Sequence, residues 1–96
     1  MKINMTPNGN KLYIALEGRL DTETSPELQK ELGENLYAVN ELTFDFEKLE
    51  YISSAGLRVM LWTIQTLGHH GTLKIINANG IIREVFEITG LSDLLL

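Results

Sequence analysis

Cysteine is absent from this sequence. Disulfides, thiolate catalysis and cysteine-ligated zinc are therefore excluded, and a reducing compartment is compatible with the chain. Long apolar runs are absent too: nothing approaches the roughly 20 residues that a membrane span requires. Met1-Lys2-Ile3-Asn4-Met5 lacks the apolar h-region of a secretory leader. The expectation is a cytoplasmic protein without membrane insertion. Basic residues are in deficit, with eight Lys and Arg against thirteen Asp and Glu and a formal charge of −5. Such a surface repels polyphosphate backbones, which argues against direct nucleic-acid binding. No glycine-rich phosphate loop occurs either, so tight nucleotide binding is not expected. His69 and His70 sit between two glycines with no further histidine to complete a ligand set. Adjacent loop side chains rarely converge on one ion, and neither a metal nor another cofactor is expected.

What is present is an ordinary globular composition, 44% hydrophobic and 22% charged. Its 96 residues suffice for one domain, residues 1–96, without room for a second. No repeat, linker or low-complexity stretch interrupts it. Lys2–Thr6 and Lys11–Glu17 flank Pro7-Asn8-Gly9-Asn10, and Asn-Gly supplies the positive φ that a tight hairpin demands. Leu12, Ile14 and Leu16 alternate with Tyr13, Ala15 and Glu17, as in a strand with one buried face. Gly18-Arg19-Leu20-Asp21 reads as the exit from that strand.

Thr24-Ser25-Pro26-Glu27 reads as a helix start, with Ser25 as cap, Pro26 at the first helical position and Glu27 complementing the dipole. Leu28, Leu32 and Leu36 then form one apolar stripe. Gly33 weakens this helix by about 1 kcal/mol relative to alanine. Leu42–Phe46 alternates as a central strand. After Ser53-Ser54, Leu57, Met60, Leu61, Ile64 and Leu67 follow helical spacing as far as Gly68. Leu73–Asn77 reads as a short buried strand. Ile81–Thr89 reads as a third helix with Ile82, Val85, Phe86 and Thr89 inward, stopped by Gly90. Strands alternating with helices imply right-handed crossovers and a mostly parallel α/β sheet, made mixed by the opening hairpin.

One turn stands out, Tyr51-Ile52-Ser53-Ser54-Ala55-Gly56-Leu57, where a segment following a strand enters a helix. In open α/β sheets sites gather at such turns. Its serines can cap the helix, or one can carry a phosphate that the helix N-terminus tolerates. Ala55-Gly56 leaves room for a partner's backbone or for tight packing on the sheet. Arg58, outside the apolar stripe, is an interface candidate. Trp62 and Tyr51 suit an aromatic partner contact, and Trp62, next to Leu61 and two residues from Ile64, suits the core edge better. For Asp21 and Asp45, hydrogen bonds to loop backbone are the favoured role over an acid–base pair.

The run Phe44-Asp45-Phe46-Glu47-Lys48-Leu49-Glu50-Tyr51-Ile52-Ser53-Ser54-Ala55-Gly56-Leu57-Arg58-Val59-Met60-Leu61 resembles the signature of the STAS family, specifically the bacterial anti-sigma factor antagonists. Gly18-Arg19-Leu20-Asp21, Val85-Phe86 and Thr89-Gly90-Leu91 resemble the family's strand exit, third helix and closing turn. The resemblance implies a single STAS-like α/β domain, a mixed sheet of four to five strands with three to four helices. It also implies a non-enzymatic regulator. Such a protein binds an anti-sigma factor serine kinase when unphosphorylated, is phosphorylated by it, and is restored by a PP2C-type phosphatase. The matching acceptor is Ser54, with Ser53 as second choice, and Asp21, Asp45, Ser53, Ala55, Gly56 and Arg58 fall at positions facing the partner. Asp21 and Asp45 match acidic positions near the phosphorylation turn. Many members carry aspartate where this chain has Ser53. A STAS subunit docking on a lipid-trafficking ABC transporter is the alternative the same likeness allows.

Overall fold

Gly9, with a φ of 62°, makes the reversal expected of Asn8-Gly9 and joins β1 (Lys2–Asn8) to β2 (Lys11–Leu20) as an antiparallel hairpin. In the computed structural model, which describes Met1–Leu96 throughout, the chain continues through α1 (Ser25–Asn35), β3 (Glu41–Ile52), α2 (Ser54–Leu67), β4 (Thr72–Ile76) and α3 (Gly80–Ile88). Short 3₁₀ turns occupy Gly68–His70 and Ser92–Leu94. The four strands lie in the order β1-β2-β3-β4, with β2–β3 and β3–β4 parallel. This is the mixed sheet that the alternation of elements predicts.

Right-handed crossovers that step steadily in one direction place α1 and α2 on the same face. α3 returns over β3 on that face too, where Phe86 meets Phe46 edge-on at 6.3 Å. Leu12, Ile14, Leu16 and Leu20 of β2 and Leu42, Phe44, Phe46, Leu49 and Ile52 of β3 point into this layer and are buried. Leu28, Leu32 and Leu36 cover them, as the four-residue spacing predicts. The opposite face of the sheet is open, which is why Tyr13, Glu17, Arg19, Asp45 and Glu47 alternate with the core residues. Beyond α3, Leu95 lies alongside Ile75 and the Leu96 N–H donates to the Ile75 carbonyl at 2.9 Å, so the tail covers part of the β4 edge. No helix is long and apolar enough to cross a membrane.

Several boundaries differ from the sequence expectation. Gly18-Arg19-Leu20 is not an exit: β2 runs to Leu20, and Gly18 adopts a φ of 102° within it beside a register shift. β3 extends past Phe46 to Ile52, because two register shifts against β2 absorb the residues that break its alternation. Ser25 does not cap α1. It lies inside the helix, and the entry is held instead by Asp21 and Thr24, whose side chains bond each other and each other's backbone N–H. On α2 the inward residues include Val59 and Thr63, while Leu61 faces solvent. The buried Thr63 hydroxyl donates to the Val59 carbonyl at 2.6 Å, which makes a polar residue acceptable there. Trp62 settles at the core edge, over Gly33 of α1. Thr89 is exposed and bonds back to the Val85 carbonyl.

Candidate functional site

Leu20 and Ile52 are register partners at the carboxyl ends of β2 and β3, and the Ser53 N–H donates to the Leu20 carbonyl at 2.9 Å. The chain passes from β3 into α2 with Ser53 as the only intervening residue. Ser53 is extended (φ −97°, ψ 177°), and its Oγ accepts from the Gly56 N–H at 3.4 Å, the geometry of an N-cap. Ser54 opens the helix, is exposed, and makes no side-chain hydrogen bond. Of two adjacent serines, one is committed to the backbone and the other presents a free hydroxyl.

Gly56 is not a surface contact. It is buried, and a Cβ there would stand 2.7 Å from Ile52 Cγ1 and 2.8 Å from Leu20 Cγ. The absent side chain serves the close packing of α2 on the sheet, one of the two roles that its sequence allows. Ala55 is half-buried, and Arg58 is exposed one turn further along.

Asp21 lies beside this turn, in the loop from β2 to α1. Its Oδ1 accepts from the backbone N–H groups of Glu23 (3.0 Å) and Thr24 (3.1 Å) and from the Thr24 hydroxyl. These bonds, the Thr24 N–H foremost, outweigh desolvation and lower its pKa, with Arg19 nearby at 3.8 Å adding a favourable charge. The carboxylate thus orders its own loop. The Arg19 guanidinium rests 4.4 Å from the centre of the Tyr51 ring, which gives Tyr51 an intramolecular partner on the open face.

Asp45 is elsewhere. It sits in the middle of β3, roughly 20 Å along the strand from the serine turn, so its expected place near the turn is corrected. Its carboxylate accepts from the Tyr13 hydroxyl, from Asn77 Nδ2 at 3.0 Å and from the Glu47 N–H at 3.0 Å. Desolvation raises the Asp45 pKa, but the bonds from Tyr13, Asn77 and Glu47 outweigh it and the net shift is downward. The Tyr13 phenol is raised, first by its bond to Asp45. The two shifts bound a pH window. A lowered carboxylate contributes stability above about pH 3.9 that is lost as pH falls through its folded pKa, and a raised phenol contributes below about pH 10 and is lost as pH rises. The stability lost in Tyr13→Phe, read as a urea midpoint, should be largest between about pH 5 and 9 and shrink at both extremes. A loss that is constant across the range would disprove the coupling.

Sequence reasoning passed over Asn79. Its Oδ1 caps α3 by accepting from the Ile82 N–H at 2.9 Å, and its Nδ2 donates to the Leu49 carbonyl at 3.2 Å. β4 pairs with β3 only as far as Asp45, so Asn79 occupies part of the β3 edge left bare beyond it. An asparagine just before Gly80-Ile81-Ile82 was the available signal. No group of three or more His, Cys, Asp or Glu side chains converges as a metal site.

Residues 3–96 match the family model described as "Mlab, STAS domain". The chain belongs to the STAS domain family. This STAS domain is 31% identical, over 99 aligned positions, to the anti-sigma-B factor antagonist of Staphylococcus aureus, covering 99% of the chain and 92% of that relative. It is 34% identical over 92 residues to BtrV of Bordetella bronchiseptica, named as a candidate anti-sigma factor antagonist, covering 94% and 79% of the two chains. The STAS domain thus has anti-sigma factor antagonists as homologues over nearly its full length, and these are regulators rather than enzymes. Its fold is shared with an anti-sigma factor antagonist from Mycobacterium paratuberculosis, at TM-score 0.87 and 20% identity over 98% of this chain and 81% of that one. It is likewise shared with phosphorylated SpoIIAA of Bacillus, at TM-score 0.81 and 21% identity over 99% and 89%.

Proposed function

We propose that this STAS domain is a cytoplasmic partner switch whose state is written on Ser54. Unphosphorylated, it binds an anti-sigma factor that is also a serine kinase, which frees the sigma factor for transcription. The kinase transfers the γ-phosphoryl group of ATP to Ser54 Oγ, the hydroxyl proton leaves, and ADP is released. A PP2C-type phosphatase hydrolyses the ester and restores the hydroxyl.

The observation that carries this reading is the division of labour at the turn: Ser53 is occupied as the cap of α2 while Ser54 is exposed and unbonded. Serine and aspartate cap helices about equally well. Ser53 therefore keeps the structural role open to an aspartate at that position and alters only the local charge. A phosphate on Ser54 adds about −1.5 to −2 charges. It lies at a helix start, where unsatisfied N–H groups and the dipole favour an anion. The domain stays folded while its docking surface changes.

Intact-mass measurement after incubation with the cognate kinase and ATP tests the reading. One phosphate is expected, lost in Ser54→Ala and retained in Ser53→Ala; the reverse pattern moves the acceptor to Ser53. Ser54→Asp should bind the kinase more weakly than the wild-type chain, and equal binding would rule out the charge mechanism. Docking on a transporter uses the same fold, but the relative at 31% identity is named an anti-sigma-B factor antagonist and the one at 34% a candidate antagonist, which favours the switch.

A further inference from the structure

We propose that Arg58 receives the phosphate of phosphorylated Ser54 in cis, at the cleft between the starts of α1 and α2, so that modification also removes the free cation of this surface. The inference rests on Ser54 being the acceptor. Arg58 follows Ser54 by one turn of α2, the spacing at which helical side chains are neighbours, and both residues are exposed. The ion pairs of the chain are Lys11–Glu41 and Arg19–Asp21, so Arg58 has no carboxylate partner.

The lining around Arg58 also lacks a carboxylate: Arg58 lines the cleft with Thr22, Ser25, Gln29 and Ala55, and no acidic residue contributes. The neighbouring Asp21 carboxylate is engaged by its own loop. Ser25, in the cleft wall, is only 4% exposed, and its Oγ has no hydrogen-bond partner. An unpaired buried hydroxyl is unusual in a protein interior, and this one lies in the wall of the cleft that Arg58 lines. The helices that flank the cleft, of 11 and 14 residues, both begin here. On a chain of net charge −5, Arg58 is the one basic residue in the lining of this cleft.

A tetrahedral oxyanion suits these groups, since guanidinium donates two parallel N–H bonds to phosphate oxygens. A phosphate attached one turn away arrives at high effective concentration, so no free anion is needed. Before modification Arg58 is available to a carboxylate on the partner. Afterwards it is neutralised in place.

The test uses the full chain with phosphoserine installed at position 54 during translation, so that no kinase is required. By ³¹P NMR titration, the second ionisation of the phosphate should lie about half a pH unit or more lower with Arg58 than in Arg58→Gln, with Arg58→Lys between them. Equal values in Arg58 and Arg58→Gln proteins overturn the pairing. The Arg58 Nε–Hε resonance should move on phosphoserine installation and stay in place when millimolar inorganic phosphate is added to the unmodified chain. An equal shift with free phosphate would overturn the cis assignment in favour of a site for anions from solution. Arg58 is exposed, so these variants are expected to fold. Failure of Ser54→Ala to abolish kinase labelling would retire the acceptor reading by itself, whereas these spectra report on the pairing alone.

Discussion

Phe46→Ala is expected to lower the unfolding free energy by about 3–5 kcal/mol. Phe46 is fully buried, with ring centroids 5.9 Å from Phe44 and 6.3 Å from Phe86. It joins the sheet to α3, because Phe86 and Ile82 are the buried residues of that helix. Truncation removes the apolar transfer term and two aromatic contacts, and it leaves a void in the core. A domain of this size has a total stability of about 5–15 kcal/mol, so the loss is a large fraction of what holds it folded. Urea unfolding should show a greatly reduced midpoint, and Phe46→Leu, which leaves a smaller void but also removes both aromatic contacts, should lose less than Phe46→Ala. A loss below about 1 kcal/mol in Phe46→Ala would mean that α3 is not anchored through this ring.

Gly56→Ala sets two effects of opposite sign against each other. Alanine in a helix gains up to about 1 kcal/mol over glycine. Here the new methyl would lie 2.7 Å from Ile52 Cγ1 and 2.8 Å from Leu20 Cγ. Both side chains are packed into the core at 2% exposure or less, so they cannot swing away into solvent. Overpacking of this kind costs about 1–3 kcal/mol, and the clash wins. The expected net loss is about 1–2 kcal/mol in urea unfolding. Relief requires the first turn of α2 to lift off β2 and β3, which carries Ser53 and Ser54 with it. Kinase labelling of Gly56→Ala should therefore slow, even under conditions where the variant is fully folded. A variant as stable as the wild type and labelled at the same rate would show that the glycine matters little at this contact.

The alternation of Leu12, Ile14 and Leu16, and of Leu42, Phe44 and Phe46, was readable because a strand sends successive side chains to opposite faces regardless of its neighbours. The stripe of Leu28, Leu32 and Leu36 was readable for the corresponding helical reason. Leu49 and Ile52 escaped that logic. They belong to β3 because its register against β2 shifts twice, and a register exists only between strands. The inward face of α2 was similarly out of reach: Leu61 fits an apolar stripe as well as Val59 does, and docking on the sheet chose Val59 and Thr63. Asp45 looked like a companion of the serine turn, and the extended length of β3 separates them.

At the turn itself, residue types alone determined that a helix begins near Ser53-Ser54, that a hydroxyl is available there, and that Ala55-Gly56 permits a close approach. Only the tertiary structure decided that Ser53 caps, Ser54 stays free and Gly56 is buried. The reason is rotational. A helical segment specifies the spacing of its side chains, whereas its orientation about its own axis is set by what it packs against, here Leu20 and Ile52.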